Sequence, residues 1–199
     1  MAVINTNPNF KRLRRSMMFL NAQKPSLIKD PYVYKPDSIM LDLEDAVAEN
    51  QKDAARYSLF HAHKEVGSPL IMAAIESTKG ILNVYDICQA SDRLFGVALS
   101  GGDYTRDLQT SISKTGVELM GARQQMVIAA RATGRMCFDT VYTDLDDMEG
   151  FRKDVEMIKT MGFDGKSIIN PRQIPVCHEV FTPNEKQIRW AEAVVREID

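Results

Sequence analysis

Cysteine is scarce in this 199-residue sequence: Cys88, Cys137 and Cys177 stand far apart, odd in number and without a Cys-x-x-Cys pair. That argues against a disulfide framework and a thiolate zinc site, and fits a reducing compartment. Long apolar runs are missing as well. The longest, such as Leu70–Ile75, reach about a third of the ~20 residues that a membrane helix needs. The opening Met1–Asn9 is polar and carries no apolar signal-peptide core, so the expected location is the cytoplasm. Nor is there an excess of either charge. With 25 basic and 27 acidic residues, binding to nucleic acid by counterion release is excluded. What is present, 44% hydrophobic and 26% charged residues, suits one domain over residues 1–199 that buries roughly 70% of its unfolded surface.

Short apolar runs alternate with amphipathic stretches. Ser16–Leu20, Ser38–Leu43, Leu70–Ile75, Leu94–Leu99, Cys137–Thr143 and Lys166–Ile169 read as strands buried on both faces. Helical spacing falls at Asn50–Ala62, Lys79–Ala90, Glu118–Thr133, Met148–Met161, Arg172–Phe181 and Asn184–Ile198, where Val155, Ile158 and Met161 share one face. Strand–helix–strand alternation predicts a parallel sheet with right-handed crossovers, closed into a barrel or left open. Gly162 stands where a helix must end ahead of Lys166.

The strand ends carry the chemistry. Leu43-Glu44-Asp45, Ile75-Glu76-Ser77, Ser100-Gly101-Gly102-Asp103, Thr143-Asp144 and Asn170 all follow apolar runs, and ligands of parallel sheets bind at the carboxyl ends of the strands. Glu76 and Asp103 end successive strands. If those strands are neighbours, both carboxylates reach one ion, and two carboxylates with water and substrate oxygens is a usual Mg²⁺ arrangement; helix capping is the competing role. Asp42, Glu44 and Asp45 form a further acidic strand end, either an outer wall of the site or a helix cap. Arg14-Arg15 precede the first strand and could meet a phosphate or carboxylate. Gly165-Lys166-Ser167 is not a nucleotide loop, because no glycine stands upstream and the lysine opens a strand. His61 and His63 cannot share a helix face, and His178 has no partner nearby in sequence.

These segments also carry a resemblance. Arg14–Phe19, Met40–Val47, Ala73–Ser77, Gly102–Tyr104, Phe138–Tyr142 and Gly162–Ile174 resemble, in order and over nearly the whole chain, the citrate lyase β / HpcH–HpaI aldolase family. The resemblance implies a (β/α)₈ TIM barrel and Mg²⁺-dependent cleavage of a β-hydroxy acyl thioester. The products would be oxaloacetate and an acetyl thioester, from a citryl group on acyl carrier protein. It implies Glu76 and Asp103 as metal ligands and Glu76, Arg15 and Asn170 as substrate contacts; Glu44 and Asp45 are candidates for the base, for which the resemblance favours an aspartate of the family's C-terminal lid. The implied partners are the α and γ subunits of citrate lyase and further copies of the chain, with neither nucleic acid nor membrane. A stand-alone malyl-CoA or citramalyl-CoA lyase, or a silent scaffold for a carrier protein, are the alternatives.

Three departures from the family pattern stand out. Between about 62 and 69 the chain passes directly to the run resembling the family's fifth strand. The units matching strands 3 and 4, with the family's substrate arginine, are absent; at ~30 residues per unit that is roughly 60 residues. The family's C-terminal lid has no counterpart before Asp199, and Gly102 stands where the family commonly has glutamate. A barrel lacking two units leaves two strand edges open, so the whole protein is expected to be heavier than 22.4 kDa, with an internal deletion as the alternative.

Overall fold

The computed structural model of the chain describes residues 12–22, 24, 33–42, 47–63 and 70–198. Its strands are β1 Ser16–Asn21, β2 Ser38–Asp42, β3 Ile71–Ile75, β4 Leu94–Leu99, β5 Met136–Asp139 and β6 Gly165–Ile168. All pair in parallel, in the order β2-β1-β6-β5-β4-β3. The helices are α1 Lys52–His63, α2 Thr78–Leu82, α3 Val84–Gln89, α4 Gly101–Asp107, α5 Met120–Thr133, α6 Met148–Met161, α7 Gln173–Phe181 and α8 Glu185–Ile198. The architecture is a curled six-stranded half-barrel of the TIM-barrel type. Its edges are β2 and β3, the strands on either side of residues 62–69.

The curl creates two apolar layers. Met17, Phe95, Ala98 and Phe138 fill the concave interior, with Met40 and Met72 packed on them. The convex side of β3–β5 offers Val97, Leu99 and Cys137 to Ile81, Val84, Leu119 and Met126 of the surrounding helices. Met18, Leu20 and Ile168 do the same beneath Phe151, Val155 and Ile174. This double burial is why β4, LFGVAL, has no exposed residue along its length. Each large core side chain contributes about 1.5–3 kcal/mol relative to exposure. At the amino end of the sheet the Arg14 guanidinium lies 4.5 Å from the Phe95 ring centre, a cation–π contact under the barrel floor.

Several expected elements shift. The helix expected over Lys79–Ala90 is two, because Asn83 (φ −104°, ψ 10°) ends α2 and starts α3. The strand expected over Cys137–Thr143 stops at Asp139. Beyond it Tyr142 turns onto Phe151, ring centres 5.7 Å apart, and its hydroxyl donates to the Asp147 carboxylate at the start of α6. Gly162 closes α6 at φ +101°, as its position predicts. Helix α4 is unforeseen, since Gly101-Gly102 reads as a turn. His178, without a sequence neighbour, meets Ser16 Oγ at 2.9 Å. No described helix is long and apolar enough to cross a membrane.

Candidate active site

Glu76 and Asp103 follow directly paired strands, Asp103 not at the strand end that the sequence suggests but in the helix after it. β3 and β4 run in register to Ile75↔Leu99, and one more ladder bond follows, from the Ser100 amide to the Ile75 carbonyl at 3.0 Å. Glu76 therefore leaves the sheet level with Ser100. Asp103 comes one helical turn later, in the first turn of α4, where the helix dipole favours a carboxylate. Its Oδ2 accepts from Ser100 Oγ at 2.9 Å and its Oδ1 from Arg106 Nη1 at 2.9 Å. The start of α4 is tied to β5 by the buried Gly101 amide, which donates to Thr140 Oγ1 at 2.9 Å. A Cβ on residue 101 would come within 2.8 Å of that hydroxyl, which is why a glycine opens this helix.

Both carboxylates face one cavity of about 760 Å³ at the carboxyl ends of the strands. Asn21, Asp42, Thr140, Ser167 and Ile169 complete its strand side. Lys52 and Arg56, four residues apart on α1, form a cationic wall. Lys52 Nζ lies 2.7 Å from Glu49 and Arg56 Nη1 2.8 Å from Asp53. No motif marked these two cations, though their spacing on a helix following a strand end was a usable signal.

Of the other expected residues, Arg15 and Asn170 fall elsewhere. Glu44 and Asp45 lie outside the described residues, two and three positions past Asp42. Arg15 is not brought into the cavity. It stands at the amino end of β1, where its guanidinium clasps the Asp37 carboxylate at 2.8 and 2.9 Å. Burial acts to raise the Asp37 carboxyl, but the Arg15 hydrogen bonds and the His178 and Arg15 charges hold it below the usual carboxylate range. The Asn170 side chain is turned to its own loop, its Oδ1 accepting from the Arg172 amide at 2.9 Å.

Behind the cavity lies a charged cluster that the sequence did not suggest. Lys166 of β6, fully buried, donates to Asp139 Oδ2 at 2.6 Å and to the Thr140 carbonyl at 2.8 Å. Arg123 of α5 grips both oxygens of Asp139, at 2.9 and 2.8 Å. Asp154 of α6 lies 3.0 Å from Arg123 and 2.6 Å from Lys166. Burial alone would raise the Asp139 carboxyl, yet the two cations and their hydrogen bonds hold it well below its ordinary range.

The profile of the HpcH/HpaI aldolase/citrate lyase family matches residues 15–68 and 63–171. Citrate lyase subunit beta of Leuconostoc mesenteroides subsp. cremoris is 37% identical in an alignment of 254 positions, covering 96% of this chain and 84% of that protein. The mitochondrial citramalyl-CoA lyase of Homo sapiens is 30% identical over 169 positions, covering 80% of this chain and 50% of that protein. A Mycobacterium tuberculosis citrate lyase beta subunit, solved with oxaloacetate and magnesium, superposes with a TM-score of 0.77. Its identity is 24%, and 88% of this chain and 100% of that one are covered. The half-barrel is thus the fold of TIM-barrel-like lyases. The chain belongs to the HpcH/HpaI aldolase/citrate lyase family and is a lyase.

Proposed function

We propose that this chain cleaves a citryl thioester, carried on acyl carrier protein, to oxaloacetate and an acetyl thioester, as the β subunit of a citrate lyase. The observation that carries the reading is that Glu76 and Asp103, just beyond the paired strands β3 and β4, line one cavity with Lys52 and Arg56. The donor set suits Mg²⁺: two carboxylates and a serine hydroxyl, all hard oxygens, with room for water and substrate. Among the described residues no cluster of three or more His, Cys, Asp or Glu offers a fuller cage, so substrate and solvent would complete the shell. Bound between Glu76 and Asp103, the ion would supply Lewis acidity toward the hydroxyl and carboxylate oxygens of the substrate.

The chain's own groups divide the remaining work. Lys52 and Arg56 receive substrate carboxylates, and the distance between the cationic and acidic walls orients the hydroxy acid. Ser100 holds the Asp103 carboxylate in place. The base accepts the substrate hydroxyl proton, the carbon–carbon bond breaks, and its electron pair passes to the thioester enolate, which is then protonated to the acetyl thioester. Glu44 and Asp45 are the candidates for that base, since the chain leaves β2 at the cavity rim through Asp42.

The reading extends to a larger barrel in which two βα units stand between β2 and β3. Three observations support it. The two edges of the sheet are the strands that would flank those units. The family profile matches in two pieces that meet at residues 63–68. The Leuconostoc alignment spans 254 positions although this chain contributes only 96% of 199 residues, which leaves about sixty positions unopposed, or two units at ~30 residues each. Further copies of the chain and the α and γ subunits would be its partners.

The deciding experiment measures 2-oxo acid release with and without Mg²⁺: oxaloacetate from citryl-carrier and citryl-CoA, and pyruvate from citramalyl-CoA. Fastest release from citryl-carrier, dependent on Mg²⁺, is expected. Preference for a CoA ester would make the chain a stand-alone lyase, and no release from any substrate would leave a carrier-binding scaffold.

A further inference from the structure

Two segments bring Glu76 and Asp103 to the cavity: residues 75–78, which leave β3, and residues 100–107, which contain α4. They are joined at both ends. At the first end the Ser100 amide donates to the Ile75 carbonyl at 3.0 Å. At the second, Asp107 Oδ2 accepts from the Thr78 amide at 2.7 Å and from the Thr78 hydroxyl at 2.6 Å. Glu76 stands between these two ties on one segment, and Asp103 stands between them on the other.

The two spans are commensurate. Ser77 is extended, with φ −142° and ψ 159°, and extended chain covers about 10 Å from residue 75 to residue 78. A helix rises by about the same 10 Å from residue 100 to residue 107. An extended segment and a helix thus run between the same two fixed points, which sets the separation of the carboxylates they carry. The helix is itself anchored to β5, where the Gly101 amide donates to the Thr140 hydroxyl. Asp103 is placed by that anchor, and Asp107 relates the Glu76 segment to it.

Nothing in α4 itself accounts for an acid at position 107. Asp107 is the last residue of that helix, where the dipole disfavours a carboxylate. It is exposed, so no core depends on it. Its hydrogen bonds go to the first residue of α2, whose amide has no acceptor within its own helix. Ser77, just ahead of α2, cannot serve that amide, because its hydroxyl accepts from the Gly80 amide at 3.1 Å. The Thr78 hydroxyl and amide hold the Asp107 carboxyl below its ordinary range, so it makes both bonds as a carboxylate at neutral pH.

We propose that Asp107 is a positioning residue for the metal site: by holding Thr78 it sets where the Glu76 carboxylate stands relative to that of Asp103. Asp107 does not line the cavity, and it acts through the backbone that follows Glu76. The proposal rests on the reading of Glu76 and Asp103 as Mg²⁺ ligands. Partners that orient metal-binding side chains typically matter to affinity by about 10–100-fold.

The test uses the full chain without substrate. Calorimetry gives the Mg²⁺ affinity, hydrogen exchange in metal-free buffer gives the protection of the Thr78 amide, and urea gives the stability of the fold. In Asp107→Ala the Mg²⁺ Kd is expected to rise about tenfold or more, with faster exchange at Thr78 and a nearly unchanged urea midpoint. Asp107→Asn keeps a side-chain oxygen for Thr78 but not the charge, and should restore both affinity and protection. Asp103→Asn is the reference and should abolish binding. Binding abolished in Asp103→Asn but untouched in Asp107→Ala would overturn the positioning role alone. An affinity as low in Asp107→Asn as in Asp107→Ala would overturn it too, since Asp107 would then act by its charge. So would a urea midpoint that falls in Asp107→Ala with the affinity kept, the mark of a helix cap only. No Mg²⁺ binding by the wild type, or binding that survives Asp103→Asn, would remove the metal reading and the positioning role with it.

Discussion

Lys166 and Asp139 meet across the β5–β6 pair at 2.6 Å with neither side chain exposed to solvent. Arg123 and Asp154 complete the cluster, so every charge in it has an opposite neighbour. Removing one partner leaves another charge buried and unpaired. Asp139→Asn is expected to destabilise the fold by about 3–5 kcal/mol, read as a lower urea midpoint at constant slope. Truncating the exposed Lys153–Glu149 pair should leave the midpoint where it is. Equal behaviour of the two variants would show the cluster to be dispensable.

At the cavity, Asp103→Asn keeps the shape of the side chain and removes its charge. Turnover is expected to fall by roughly two orders of magnitude, the equivalent of several kcal/mol of lost charge stabilisation. In the wild type, Mg²⁺ should stabilise the fold by mass action, by about 2.7 kcal/mol at one hundred times its Kd, and so raise the thermal midpoint; in Asp103→Asn that rise should vanish. Calorimetry across a Mg²⁺ titration checks both proteins, and superimposable titrations would remove Asp103 from the metal site.

Arg56 is exposed and its only described ion pair is with Asp53 on the same helix, so its loss should spare the fold. Arg56→Ala is expected to raise KM about tenfold with a smaller change in kcat, the pattern of a lost charge-assisted contact to a substrate carboxylate. Steady-state kinetics on the citryl thioester decide it; an unchanged KM would assign the cationic wall to Lys52 alone or to neither.

Acid should loosen the amino end of the sheet before the cavity end. Burial lowers the His178 pKa from its ordinary 6.5, with Asp37 opposing and Arg15 assisting. A histidine depressed in the folded state binds more protons when unfolded, so stability should decline as pH falls through about 6.5 and level off below the folded value. Asp37, also depressed, adds stability above its unfolded 3.8 that is lost at still lower pH, as it titrates through its folded value. In His178→Gln the decline beginning near pH 6.5 should disappear while the lower one stays. Urea midpoints from pH 8 to pH 3 test the two stages.

If two further units stand between β2 and β3, the intact mass of the protein isolated from its source will lie well above 22.4 kDa. A mass of 22.4 kDa for a monomeric, active protein would refute the larger barrel, since unpaired edges over an apolar interior should drive association.

The sheet was legible where burial on both faces leaves a continuous apolar run, as at Leu94–Leu99, whose limits coincide with β4. Helix α6 was equally plain, with Asp147 capping it and Gly162 closing it. Helix α4 was not, because Gly101 reports a close approach to Thr140 rather than a turn. Lys166 and Asp139 were hidden by the ordinary rule that charges lie outside; their pairing spans 27 positions. Of the candidate site, the adjacency of the strands that precede Glu76 and Asp103 agrees with chain order, while the helix that holds Asp103 does not show in the sequence. The displacement of Arg15 was readable too, since a residue before a parallel strand lies at the end opposite the ligand. Its tie to Asp37 could come only from the packed structure.

The seating of β1 between β2 and β6, with Ser16 opposite Lys166, shapes how the chain reaches this state. β2 follows within about twenty positions, but the other neighbour lies about 150 positions downstream. Closing so long a loop is slow. On the ribosome, the first strand therefore stays half-paired until nearly all of the chain has emerged, with one apolar flank waiting for the last strand to arrive. The return of β6 to β1 is the longest-range pairing among the described strands.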